Sequence, residues 1–284
     1  MGLSKSQIRE RDRLARIEAK EAAAIRRAKR TRLNKAGAVL VAVVALAAGG
    51  VILFSGPSKP STVTSSTTTT TADGAFAGVT AHDRALQAKA AQLAVAAGCP
   101  LSSTKRVNTL QWAAAPVMAI NPGGTYYAHF VTTAGAFVVQ LDAKEAPITV
   151  NNFVFLANQH FYNCVLFQRV IPNFMIQGGD PTGTGGGGPG YTIADEYPKK
   201  GTPTYPLYSI AMANTGAPHS GGSQFFIVTG AEGEALPPTY TLFGRVVSGY
   251  ATVRAISNEG NNNDNGEEPT VLNRMLTVSV TTTP

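Results

Sequence analysis

The sequence predicts an all-β domain, a closed barrel or sandwich of about 160 residues, held behind a single transmembrane helix. Three observations lead there. From about Thr125 onward, short β-rich runs recur between Gly, Pro and Asn turns. Residues 36–54, AGAVLVAVVALAAGGVILF, carry no charge, and that length spans a hydrocarbon core as a helix. The net positive charge is gathered in front of that run rather than spread through the chain.

The chain has 284 residues and a formal net charge of +7. Residues 1–36 hold twelve of its 24 Lys/Arg and four of its 17 Asp/Glu, so the other 248 residues carry twelve basic and thirteen acidic side chains and are close to neutral. The basicity describes residues 1–35, a tail, and not the folded part. A cleavable signal peptide would show a shorter apolar region behind a short basic start, so an uncleaved anchor is expected. By the positive-inside rule, twelve basic residues before the span and only Lys59 close behind it place the N-terminus in the cytoplasm and everything after residue 55 outside. The tail suits anionic headgroups better than nucleic acid, because it adjoins the span; no nucleic-acid partner is expected.

Residues 55–80 begin with SGPSKPSTVTSSTTTTTA, a Ser/Thr/Pro-rich stretch that cannot bury enough apolar surface to order itself and reads as a solvated linker. A pre-domain segment, 81–122, follows. Its helix, AHDRALQAKAAQLAVAAG, carries Leu86, Ala90, Leu93 and Ala97 on one face and is stopped by Gly98 and Pro100. The remaining domain, 123–284, opens with YYAHFVTTAGAFVVQLD, a hairpin turning around Thr132–Gly135. Next comes a helix with Pro147 in an early position and Val150, Phe153, Val154 and Ala157 on one face. VLFQRVI, FMIQ, YSIAMA, QFFIVT, YTLFGRVV and MLTVSV read as short strands, with a second helix around Tyr250–Ile256.

The stretch IQGGDPTGTGGGGPGY, residues 176–191, formally contains G-x-G-x-x-G from Gly183 to Gly188. Phosphate binding by that motif needs a helix immediately after it. Here Pro189-Gly190 follows, then YTIADEYP, which has no helical periodicity; Pro189 also stands where a P-loop needs Lys. The glycines therefore serve conformation: a loop with positive-φ positions that passes close to a neighbouring surface. The four histidines, His82, His129, His160 and His219, lack metal-ligand spacing, and Gly221-Gly-Ser223-Gln is not a hydrolase elbow. No metal or cofactor is expected.

FQRVIPNFMIQGGD (167–180), AMANTGAPHSGGSQFFIVTG (211–230) and LPPTYTLFGRVV (236–247) resemble the cyclophilin family of peptidyl-prolyl cis/trans isomerases, over about Tyr126–Val280. The longer layout resembles the membrane-anchored cyclophilins of bacteria. The resemblance implies an eight-stranded antiparallel β-barrel capped by two helices, with an active groove outside the barrel and the glycine loop near it. It further implies that Arg169 is the catalytic arginine, that Phe174, Met175, Phe226 and Leu236 line a proline pocket, and that Gln177 and Gln224 position the arginine and the substrate. Ala213 and Asn214 fall at the strand edge that pairs with substrate backbone. Tyr240 stands where eukaryotic members have His and Ala235 where they have Trp, which implies intact activity and weakened cyclosporin binding.

These expectations amount to a monomeric catalytic domain that accelerates X–Pro rotation in extracytoplasmic polypeptides and assists their folding. A non-catalytic proline-peptide module is the alternative, but it would need only the apolar cup and not Arg169, Gln177 and Gln224. Cys99 and Cys164, the only cysteines, lie on the expected oxidising side; a disulfide between them would tie the pre-domain helix to the barrel.

Overall fold

The structure, a computed structural model, describes residues 80–103, 105–198, 204–261 and 268–284. The expected tail, span and most of the linker lie outside the described residues. No helix among the described residues is long and apolar enough to cross a membrane.

Helix α1, Ala81–Ala96, starts at a capping box: the Thr80 hydroxyl accepts from the Asp83 N–H, and the Asp83 carboxylate accepts from the Thr80 N–H. Its buried stripe differs from the expected one. Ala90 and Ala94 face the domain, while Leu93 and Ala97 are exposed. The cause is a long-range hydrogen bond, since the Leu272 N–H donates to Gln87 Oε1 (2.7 Å). That contact turns the small residues three and seven positions on toward the domain.

The eight strands are β1 Tyr126–Thr132, β2 Gly135–Leu141, β3 Arg169–Ile171, β4 Met175–Gly178, β5 Ser209–Met212, β6 Phe225–Val228, β7 Leu242–Ser248 and β8 Met275–Thr281. They form one curled antiparallel sheet in the order β3-β4-β6-β5-β7-β2-β1-β8. The β1–β2 hairpin closes on the Thr132–Gly135 pair, as its sequence predicts. Alternation on β1 and β2 sends Ala128, Phe130, Phe137, Val139 and Leu141 into a core shared with Phe243, Val246, Phe153, Tyr162 and Phe225. The rings pack edge-on or tilted, with Phe130 and Phe137 stacked 4.5 Å apart.

A closed barrel is not what forms. The edge strands β3 and β8 share no ladder, because VLFQRVI divides between two partners. Its first half meets the approach to β8: the Met275 N–H donates to Val165 O (2.8 Å) and the Phe167 N–H to Asn273 O (3.0 Å), around a Leu166–Arg274 bridge. Only Arg169–Ile171 then pairs with β4. The sheet is thus curled and fastened at one short seam.

The two expected helices are α2, Pro147–Asn158, which packs against β8, and α4, Tyr250–Asn258, which packs on β2, β3 and β4. A single turn, α3, spans Ala231–Glu234. Helix α2 has Pro147 in its first turn but no side-chain cap of its own. The Glu196 carboxylate supplies one from a distance, accepting from Ile148 N–H (2.9 Å) and Thr149 N–H (2.8 Å). More than one face of α2 is buried, including Asn151 and Asn152.

At the seam, Cys99 and Cys164 form a disulfide with Cα atoms 5.3 Å apart. Buried Arg274 donates to Cys164 O and Ser102 O, both at 2.7 Å. Replacing both cysteines by serine should lower stability by about 2–4 kcal/mol, read as a lower urea midpoint against the oxidised wild type; an unchanged midpoint would show that the hydrogen bonds of the seam fasten it without the disulfide.

Candidate active site

Strands β4, β5 and β6 are buried on both faces, and their pleat builds the site. On β6, Phe225 and Ile227 enter the main core, whereas Phe226 and Val228 join a second apolar cluster with Met175, Tyr205 and Ala211. Phe174, Ala213, Leu236 and Tyr240 pack against that second cluster while partly exposed. The register sets one row across the outer face: Arg169 opposite Gln177, Gln177 opposite Phe226, Phe226 opposite Ala211. A second row runs Ile171, Met175, Val228. The polar and apolar candidates are therefore brought side by side.

The apolar part is a shallow cup. Phe226 and Tyr240 meet edge to face at 5.2 Å. The Arg169 guanidinium carbon lies 5.8 Å from the centre of the Phe174 ring. Burial pulls the Arg169 pKa below its ordinary value, opposed by the neighbouring Tyr240. An arginine so placed keeps its charge, and its partly dry setting strengthens what that charge can do.

Gln224 is the centre of the polar part. Its Oε1 accepts from Gln177 Nε2 and Gln168 Nε2, both at 3.0 Å. Its Nε2 donates to Gly185 O (2.8 Å) and Gly187 O (3.0 Å) of the glycine loop. Gln177 Oε1 in turn faces Arg169 Nη1 at 3.5 Å. The loop is thus tied through one amide to the row that holds the arginine.

The loop itself is wrapped around a buried carboxylate. Asp180 accepts from the Thr182 N–H (2.7 Å) and hydroxyl (2.7 Å), the Gly185 N–H (2.6 Å) and the Gly187 N–H (3.1 Å). The donors a phosphate would need are already given to the chain's own anion, and no helix follows the loop. At Gly179, where φ is +94°, a Cβ would lie 2.3 Å from Ser223 O, so glycine is required for the close approach of loop and β6.

Ala213 and Asn214 sit just past the end of β5. The Ala213 N–H donates to Gln224 O (2.9 Å). The Asn214 amide is spent on its own loop and the next, donating to Thr239 O (2.8 Å) and accepting from the Gly216 N–H (3.0 Å). Ala235 is exposed at the end of α3. Of the histidines, His219 lies beside Asp195 (3.4 Å) away from this row. No group of three or more metal-ligating side chains occurs among the described residues.

Sequence reasoning missed three contributors. Asp180 follows the QGG run, yet nothing local marks it as the loop's organiser. Tyr205 is wholly buried; its hydroxyl donates to Tyr240 O (2.8 Å) and accepts from the Tyr240 N–H (3.0 Å), clamping the residue that walls the cup. Gln168 shares the Gln224 carbonyl with Gln177. The partners of Tyr205 and Gln168 are 35 and 56 residues away, a distance over which periodicity carries no signal.

With this geometry in view, comparison with known proteins is specific. The family model of cyclophilin type peptidyl-prolyl cis-trans isomerases matches residues 127–280, more than half of the chain. The chain is 40% identical over 177 residues to peptidyl-prolyl cis-trans isomerase A of Mycobacterium tuberculosis, covering 56% of this chain and 95% of that protein. It is 45% identical over 128 residues to peptidyl-prolyl cis-trans isomerase-like 1 of Aspergillus fumigatus, covering 44% and 78%. The crystal structure of a Cryptosporidium parvum cyclophilin type peptidyl-prolyl cis-trans isomerase superposes with a TM-score of 0.51 at 28% identity, covering 56% of this chain and 99% of that one. Its crystal structure in the presence of the dipeptide Ala-Pro gives 0.50. The match spans the strands that carry both rows of the groove, and on that ground the chain belongs to the cyclophilin-type peptidyl-prolyl cis-trans isomerases.

Proposed function

We propose that this isomerase acts outside the cytoplasm, tethered by residues 36–54, on X–Pro bonds of polypeptides that are folding there. The observation that carries the catalytic reading is the junction of a half-buried arginine with an apolar cup, held by the Gln177–Gln224 pair. Three features support the location: the uncharged run, the charge asymmetry around it, and a joined Cys99–Cys164 pair, which belongs to an oxidising compartment. The layout is also the one that a resemblance to bacterial membrane-anchored members implies.

Rotation about a peptide bond meets a barrier of about 18–20 kcal/mol, because the nitrogen lone pair is delocalised into the carbonyl. No bond is broken, so the reaction needs no nucleophile and no metal. The proline ring rests against Phe174, Met175, Phe226 and Leu236, with Tyr240 as a wall. Arg169 donates a hydrogen bond toward the prolyl nitrogen as the amide twists and the lone pair localises. That interaction strengthens on the way to the transition state, which is the condition for acceleration. Gln177 and Gln224 set the guanidinium, and Ala213 and Asn214 receive the substrate backbone. The Ala-Pro dipeptide present with the Cryptosporidium relative contains one X–Pro bond, the group on which this chemistry acts.

Arg169→Ala should remove most of the turnover of a proline tetrapeptide in a protease-coupled assay while the unfolding midpoint stays near wild type; wild-type kcat/KM would refute the assignment. Phe226→Ala should also lose activity, through the emptied cup. Tyr205→Phe strands the N–H and C=O of Tyr240 and is expected to cost about 1–3 kcal/mol in urea unfolding and to raise KM. An unchanged KM would show that Tyr240 holds its position unaided. Fractionation of native cells should find the full chain in the membrane, with residues after 55 open to external protease. Recovery of the mature chain in the soluble fraction would instead mark residues 36–54 as a cleaved leader.

A further inference from the structure

Between α1 and β1 the chain runs from Cys99 to Thr125 without a helix or strand among the described residues. Its course is nevertheless fixed by the domain at several points. It starts at the Cys99–Cys164 disulfide and the Arg274 guanidinium. In the middle, Asn108 Nδ2 donates to Phe161 O (2.8 Å), and the Trp112 ring packs edge-on against Phe155 (5.0 Å) and obliquely on Phe161 (6.1 Å). Near the end, the buried side chain of Asn151 accepts from the Ala119 N–H (2.8 Å) and donates to Val117 O (3.0 Å).

Between these fixings the segment holds the glycine loop at both ends. The Val107 N–H donates to Pro181 O and the Trp112 N–H to Pro189 O, each at 2.9 Å. The approach is close enough that the loop needs glycine there. A Cβ on Gly183 (φ +71°) would lie 2.2 Å from Ser103 O, and one on Gly190 (φ +92°) would lie 2.9 Å from Trp112 O. Gly185 and Gly187, whose carbonyls hold Gln224, lie between the two clamped ends. A continuous series of contacts therefore runs from Trp112 through the loop to Gln224, Gln177 and Arg169.

We infer that residues 99–120 form a positioning strap for the isomerase groove, with Trp112 the side chain that seats it. The strap lies outside the span matched by the family model. The inference rests on the reading of Arg169, Gln177 and Gln224 as the catalytic row. Trp112 touches no substrate; it acts by fixing the carbonyls that orient Gln224.

The test uses the full-length chain and compares wild type, Trp112→Ala, Trp112→Phe, Gln224→Ala and the Trp112→Ala/Gln224→Ala double variant. The readouts are kcat/KM on a proline peptide and hydrogen exchange at the Gly185 and Gly187 amides. Trp112→Ala should lower kcat/KM about three- to thirtyfold, the range expected for coupling through packed contacts. Exchange at the two loop amides should quicken while the β6 amides stay protected. Trp112→Phe, which keeps a ring on Phe155, should recover most of the loss. In the Gln224→Ala background the same substitution should change kcat/KM by less than about twofold, because the path is already cut. Should Trp112→Ala not fold, Trp112→Leu keeps an apolar body in place and carries the same comparison. Wild-type kcat/KM in a folded Trp112→Ala chain would overturn the strap, and so would losses that multiply in the double variant. Equal turnover by wild type and Arg169→Ala would instead show that the reading of the site itself is wrong.

Discussion

The pleat of β4, β5 and β6 is the constraint on which the site depends. Successive side chains of an extended strand point to opposite faces, so Phe225 and Phe226, neighbours in sequence, belong to two separate apolar clusters. One fills the curl of the sheet; the other becomes a wall of the cup. A slip of one residue in the β4–β6 register would bring Gln177 into the core and Ile176 to the groove. Burial on both faces of these strands is what forbids the slip. The groove thus inherits its precision from the core behind it.

Charge and dryness are balanced in the same place. Arg169 stands at the cup's margin, where burial is enough to weaken its hold on its proton but Tyr240 offsets part of the cost. Among the described residues no carboxylate forms an ion pair with the cation. It donates to the carbonyl end of Gln177, a neutral acceptor that orients the guanidinium without consuming its charge. A carboxylate there would stabilise the resting arginine and leave less of its field for any other group in the groove. The anion that does lie nearby, Asp180, is turned into the glycine loop and occupied by its N–H groups.

The legible parts of the fold were those encoded over short range. The β1–β2 hairpin, Pro147 at the start of α2, the α4 helix and most short strands follow from alternation, turn residues and proline geometry. What failed was decided at a distance. VLFQRVI has the composition of one strand but changes partner midway, because residues 273–275 compete for its first half. The stripe of α1 was misplaced because a hydrogen bond from Leu272, 185 residues away, sets its rotation. In the site, the motif residues were readable because they lie in dense local runs. Tyr205, Asp180 and the course of residues 99–122 were not, since each is defined by hydrogen bonds to backbone or by ring contacts that leave no period in the chain.

The saturation of Gln224 has a consequence for how the enzyme ages. Both lone-pair directions of its carbonyl and both hydrogens of its amide are engaged, so the side chain has one permitted orientation and no spare capacity. Hydrolysis of that amide to a carboxylate would barely change its size. It would, however, set an oxygen against the carbonyls of Gly185 and Gly187, replacing two attractions by two repulsions. A lesion of a single atom, too small to disturb the fold, would thereby release the loop from the row that holds Arg169. The integrity of one glutamine amide is thereby a condition of the loop's hold on the arginine's row, independent of the stability of the fold.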